Sequence, residues 1–197
     1  MTREYLPLTA HRLQAGARFH LPGQDPEQVR IDSPALAVMT DLRRIPAATI
    51  DLEAPLDAAN RFMIRRGVRL LLVTDDDRQV LGLITANDVL GEKPVKFALE
   101  RSIKRQDIRV ADIMSPRERL EVLFYVDLVQ AEVGHVVATL KHSGRQHALV
   151  VDLNGNGEAQ TVRGIFSASQ IARQLGVAIQ TTEVAQTFAE IGAALGH

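Results

Sequence analysis

Apolar residues along this chain fall into short blocks whose spacing switches from helical to extended and back, and the series occurs twice. From Pro55 to Arg66, Leu56, Ala59, Phe62 and Met63 stand at helical spacing. Pro55 suits a first helical turn and Gly67 a C-terminal cap. Arg69 to Thr74 is a run of Leu and Val, Asp75-Asp76-Asp77 a polar turn, and Val80 to Thr85 a second apolar run opening into a helix at Ala86. Helix, strand, turn, strand, helix is thus the first unit. The second reads alike, with a longer helix from about Asp127 to His142, strands His147–Asp152 and Val162–Ser167, and Asn154-Gly155-Asn156-Gly157 as a hairpin connection. Glu92 to Arg109 reads as a linking helix with a solvated face. The predicted divisions are an N-terminal arm at 1–34, a first repeat at 35–91, a linker at 92–110, a second repeat at 111–176 and a C-terminal amphipathic helix at 177–197. Val184, Phe188, Ile191 and Leu195 give that last helix an apolar stripe, which needs something to lie against.

The duplication is legible residue by residue. Val80-Leu81-Gly82-Leu83-Ile84-Thr85 returns as Val162-Arg163-Gly164-Ile165-Phe166-Ser167, and Val38-Met39-Thr40 as Ile113-Met114-Ser115. The offset is 75 residues at Met39 and Met114, 77 at Gly67 and Gly144, and 82 at Gly82 and Gly164, as insertions in loops would produce. Duplicated halves usually pack on each other and share a central cleft.

Composition narrows the class without naming a function. Hydrophobic residues at 46% and charged residues at 24% are ordinary globular usage. A net charge of −1 supplies no global field to steer the chain onto nucleic acid or anionic lipid, and no tryptophan with only two tyrosines argues against base stacking. With no cysteine there is no disulfide, thiolate nucleophile or thiolate metal site. Met1 to Ala10 carries no apolar signal-like core, and no apolar run approaches the ~18 residues of a membrane span. A cytoplasmic protein with no nucleic-acid or membrane partner is expected.

Each second strand ends in Gly-x-x-Thr/Ser and runs into a helix. Glycine lets the backbone bend or approach a neighbour closely, and Thr85 or Ser167 can cap the helix by accepting a bond from an amide two or three residues on. Asp88, three residues past Thr85, admits two readings. It is a favourable acid in a first helical turn, or a carboxylate whose paired acceptors suit the vicinal hydroxyls of a ribose.

These stretches, Gly82-Leu83-Ile84-Thr85-x-x-Asp88 after Arg69-Leu70-Leu71-Leu72-Val73, and a second copy led in by Asp112-Ile113-Met114-Ser115, resemble a tandem pair of cystathionine β-synthase (CBS) domains, a Bateman module. The resemblance covers roughly residues 35–175. It implies a mixed α/β (α+β) fold of two β-α-β-β-α repeats packed with pseudo-two-fold symmetry, clefts between repeats that bind AMP, ADP, ATP or S-adenosylmethionine, and assembly as a homodimer. Carried over by position, it implies that Asp88 holds ribose hydroxyls, that Thr85 contacts ribose or phosphate, and that Arg69 faces phosphate. Ala48 and Ile50, with Leu71 nearby, fall where the adenine slot would be.

The second repeat departs from the pattern. Ser167 keeps the hydroxyl, but Gln170 stands in the place of the acid and His147 in the place of Arg69. Hydrogen bonds to charged groups are worth roughly 1.5–3 kcal/mol and neutral ones about 0.5–1.5, so this site is expected to be about tenfold weaker. If His147 faces phosphate, binding there should strengthen below about pH 6.5; the alternative is a structural histidine opening a strand.

Other chemistry finds no support in the pattern. The six histidines show no His-x-x-x-His or carboxylate pairing for a metal, and no nucleophile elbow, P-loop or dinucleotide fingerprint occurs. No catalytic constellation is expected. The reading is a stand-alone regulatory sensor that binds an adenosine ligand and modulates an effector protein. A ligand-independent dimerisation or scaffold protein, in which Thr85 and Asp88 merely cap a helix, is the alternative.

Overall fold

The computed structural model describes residues 29–153 and 159–176. The arm up to residue 28, the hairpin tip at 154–158 and the stretch from 177 with its apolar stripe lie outside the described residues. The strands are β1 (Thr40–Asp41), β2 (Thr49–Asp51), β3 (Leu70–Thr74), β4 (Val80–Thr85), β5 (Ser115–Pro116), β6 (Val122–Phe124), β7 (His147–Leu153) and β8 (Gln160–Ser167). The helices are α1 (Leu56–Arg66), α2 (Ala86–Leu90), α3 (Lys93–Arg101), α4 (Val110–Ile113), α5 (Tyr125–Leu128), α6 (Val133–Ser143) and α7 (Ala168–Gln174). One four-stranded sheet runs β2-β3-β4-β5 and the other β6-β7-β8-β1 when read in the same sense. In each, a parallel pair is followed by an antiparallel hairpin.

The two units interleave. β1, which leads the first repeat, pairs with β8 of the second, and β5, which leads the second, pairs with β4 of the first. The short turns around the leading strands follow them. Ala35 and Val38 are buried in the core of the second unit, and Ile108, Val110 and Ile113 in that of the first. Backbone bonds seal both exchanges in the same way. Val133 N donates to Ser33 O and Ala35 N to Ala131 O on one side, Leu56 N to Ile108 O and Val110 N to Ala54 O on the other.

This exchange explains the repeated glycines. A Cβ on Gly82 would collide with the Ser115 carbonyl, and one on Gly164 with the Met39 side chain, because the borrowed strand crosses each glycine at close approach. Beside each glycine the hairpin register slips by one residue, between Val73 and Thr74 and between Val150 and Val151.

Each sheet buries one face under its own helices. Leu56, Met63, Leu71, Val73 and Ile84 make the first core, and Val136, Leu140, Val150, Phe166 and Ile171 the second. The opposite faces meet each other through Leu70, Leu72 and Leu149. Continuous apolar strands are thus required because both faces are covered.

Two sequence expectations are corrected. The single helix from Asp127 to His142 is two helices, α5 and α6, because residues 131–134 give their backbone groups to the 31–35 segment. Glu132 then starts α6, its backbone N–H donating to His135 Nδ1 at 3.1 Å. The linker is also divided: α3 stops at Ser102, whose φ of 53° is left-handed, before a single tight turn at Arg105–Asp107.

Candidate functional site

The first cleft lies at the start of α2 and encloses about 340 Å³ between the repeats. Thr85 and Asp88 form a reciprocal capping box there. Asp88 N donates to Thr85 Oγ1 at 3.2 Å, while Thr85 N and Oγ1 donate to Asp88 Oδ2 at 2.9 and 2.7 Å. Asp88 is 8% exposed, the one charged residue buried among the described residues. Its other oxygen, Oδ1, accepts from Lys93 Nζ at 2.5 Å. Lys93 was expected on a solvated helix face; the break at Gly91 instead turns the chain back so that α3 begins beside the carboxylate. The far wall comes from the second repeat, with Leu120, Arg145, His147 and Leu149.

The second cleft, about 440 Å³, is its pseudo-symmetric counterpart at the start of α7. Ser167 makes no side-chain cap bond, its hydroxyl lying 3.1 Å from that of Ser169. Gln170 does not reach back to the strand. Its Oε1 accepts from Thr40 Oγ1 at 3.1 Å, a residue of the borrowed strand β1. The far wall comes from the first repeat, with Ala48, Arg66 and Arg69.

The expected site residues are therefore redistributed. Thr85 and Asp88 share a cleft with His147, whereas Arg69 and Ala48 line the cleft of Ser167 and Gln170. Arg69 stands in the partition, reaching Asn87 of the first cleft at 3.4 Å, and His147 lines both sides. Leu71 lines neither cleft: it is fully buried in the first core, and Ile50 packs against the same cluster. The positions opposite α2 belong to the other repeat because the sheets face each other.

His147 also departs from expectation. Burial first, and the Arg69 charge second, push its imidazole down to about 4 against the opposing pull of Asp88. It is neutral down to about that pH, so the gain in phosphate binding below pH 6.5 is not what this environment produces. Among the cleft residues that sequence reasoning did not assign are Lys93, Arg119 and Arg145 in the first cleft and Thr40, Arg65, Arg66 and Arg173 in the second. Only the pseudo-equivalence of Thr40 and Ser115 carried a signal for any of them. Among the described residues no group of three or more His, Asp or Glu could hold a metal ion.

Residues 35–94 match the CBS domain family. Solved structures match most of the chain. An uncharacterized conserved protein from Pyrococcus horikoshii aligns with a TM-score of 0.54 at 21% identity, covering 78% of this chain and 100% of that one. A CBS-domain containing protein from Agrobacterium tumefaciens aligns at 0.53 and 16%, covering 80% and 98%. The chain folds as a tandem pair of CBS domains. CBSX2, solved in complex with AMP, has the same fold, with a TM-score of 0.51 at 20% identity over 72% of this chain and 94% of that one. By sequence, an uncharacterized protein of Methanopyrus kandleri is 25% identical over 84 residues, and the match spans 42% of this chain and only 39% of that relative's length. No helix among the described residues is long and apolar enough to cross a membrane.

Proposed function

We propose that this protein is a regulatory module that binds an adenosine ligand in the first cleft and passes the resulting arrangement of its repeats to an effector protein. The observation that carries the reading is the buried Asp88 carboxylate, fixed by Thr85 and presented to a cleft between the repeats. A carboxylate accepts two hydroxyl protons side by side, as a ribose diol offers. The cleft's size lies within the range of small-ligand sites, and Leu83, Leu120 and Leu149 give it apolar surface for a base. Lys93 and Arg119 in the lining favour a 5′-phosphate, hence AMP, ADP or ATP over the sulfonium of S-adenosylmethionine. The AMP complex of CBSX2 on the same fold is consistent with this choice. A ligand acts on the effector only through its differential affinity for two arrangements of the repeats.

The scaffold reading keeps one observation in its favour: both Asp88 oxygens are already satisfied within the chain. For either reading, a homodimer is supported by exposed apolar side chains such as Ile64 at 73%, Leu90 at 66% and Leu99 at 76%. Thermal unfolding with millimolar AMP, ADP, ATP or S-adenosylmethionine decides between them. A ligand at 100 times its Kd adds about 2.7 kcal/mol, or roughly 5–10 °C here. A shift lost in Asp88→Ala and kept in Gln170→Ala supports the sensor; no shift with any ligand supports the scaffold.

A further inference from the structure

The second cleft inverts the chemistry of the first. In the first, an acceptor-only carboxylate faces the cleft, and two of the three cations in its lining are paired with acids: Lys93 with Asp88, and Arg145 with Glu121 at 3.2 Å, leaving Arg119. In the second, four arginines line the cleft, Arg65, Arg66, Arg69 and Arg173, with no aspartate or glutamate among its described lining residues. Among the described residues none of these four makes an ion pair. Arg65 lies over the Phe62 ring, and Arg69 makes its long bond to the neutral Asn87.

Hydrogen-bond polarity changes in the same direction. The Oε1 acceptor of Gln170 is taken by Thr40 Oγ1, which among the described residues leaves the two Nε2 protons as the amide's unspent groups. The hydroxyls of Ser167 and Ser169 are also free of any capping duty, whereas Thr85 is committed to its box. Guanidinium forks, amide protons and hydroxyls together form a donor set, and several like charges around one opening repel each other until an anion bridges them. Phosphate oxygens accept such bonds in pairs. A diol, which must itself donate, finds no carboxylate among the described lining residues.

We propose that the second cleft, where Arg66, Arg69 and Arg173 face Gln170, binds a multiply phosphorylated ligand through its phosphates and without a ribose diol. The apolar wall of Leu42, Ile45 and Pro46 leaves room for an organic body attached to those phosphates. The first cleft and the second then answer different ligands, and the second site does not depend on the Asp88 reading.

Inorganic tripolyphosphate is the probe, because it has the charge and no diol. Calorimetric titration of the full chain should detect its binding, weakening as salt is raised. The double variant Arg66→Ala with Arg173→Ala should weaken it about tenfold or more, as should Gln170→Asp, which restores an acid against the phosphates. Asp88→Ala should leave it unchanged. Arg66 and Arg173 are exposed, so the double variant should keep its far-ultraviolet circular dichroism and melt as wild type does without ligand. Arg66→Lys with Arg173→Lys, retaining charge, should recover part of the affinity. Absence of tripolyphosphate binding to wild type, equal binding by the alanine double variant, or loss of binding in Asp88→Ala would each overturn the proposal. Adenosine-dependent stabilisation lost only in Asp88→Ala tests the first cleft separately, so the two readings fail independently.

Discussion

Lys93 Nζ sits 2.5 Å from Oδ1 of Asp88, so the carboxylate proposed to hold a ribose already has an internal cation on it. A neutral nucleoside must displace that ammonium, while a nucleotide can draw it onto its 5′-phosphate. The Lys93 side chain is 55% exposed, and such pairs contribute about 1 kcal/mol or less.

Lys93→Ala is therefore expected to tighten adenosine binding by up to about fivefold, and to weaken AMP and ATP by a similar factor. Titration calorimetry of the three ligands reads both directions. Equal effects on adenosine and ATP would remove Lys93 from ligand discrimination.

Asp88→Asn separates capping from ligand binding. The amide oxygen can still accept from Thr85, so the helix start loses less than the ~1 kcal/mol typical of a deleted cap. Ligand affinity should nonetheless fall about tenfold, because one acceptor and the charge are gone. A melting temperature within about 3 °C of wild type, together with that loss of affinity, is the expected pair of results.

Gly82→Ala should destabilise more than Gly164→Ala. At Gly82 the obstacle is the Ser115 carbonyl, which is backbone, whereas at Gly164 it is chiefly the flexible Met39 side chain. Overpacking of this kind costs about 1–3 kcal/mol, so a fall of at least about 3 °C is expected for Gly82→Ala by calorimetric melting. The reverse order would mean that β5 moves aside more readily than Met39.

Arg163 ties the borrowed strand β1 to its host sheet. It grips Asp41 at 3.1 and 3.3 Å, reaches Asp152 at 3.1 Å and lies 4.2 Å from the Tyr125 ring centre. That grip, followed by the Arg43 backbone N–H, holds the Asp41 carboxyl below its ordinary 3.8. A depressed carboxyl stabilises the fold fully above its unfolded value, and the contribution is lost as pH falls through the folded one. Arg163→Ala should thus melt about 2–4 °C lower than wild type at pH 7, with the gap closing below about pH 3.8.

His147 carries the opposite charge logic. Because burial and Arg69 lower it to about 4, the unfolded chain takes up the proton first. Stability attributable to this group is complete above about pH 6.5 and declines as pH drops toward 4. Proton NMR should find the ring neutral at pH 5.5, and His147→Phe should flatten that part of the acid limb. A ring titrating near 6.5 would contradict the burial of the imidazole first and the placement of Arg69 beside it second.

The regular elements were legible because burial writes itself into the sequence. The run from Leu70 to Val73 is covered on both faces, and Gly67 and Gly144 sit at left-handed helix ends with φ of 64° and 62°. The Thr85–Asp88 relation was legible because a capping box has fixed spacing. What the repeat pattern hid was partnership. β1 and β5 are two residues each, too short to carry a period, and nothing local in Thr40 or Ser115 states which sheet receives it. Arg69 and His147 were accordingly paired with the motifs of their own repeats, although facing sheets place them across from the other's. Leu71 illustrates the same limit at residue level: alternation along β3 sends it to the helix side, and Leu70 and Leu72 to the middle.

The traded strands make each half dependent on the other for completion. A chain severed in the linker after Arg101 would yield two fragments, each holding a strand cut to the other's sheet and each with a glycine groove left open. Neither fragment is a miniature of the whole, and mixing them is expected to restore the fold by mutual complementation, with the same clasp available between two copies of an intact chain at high concentration.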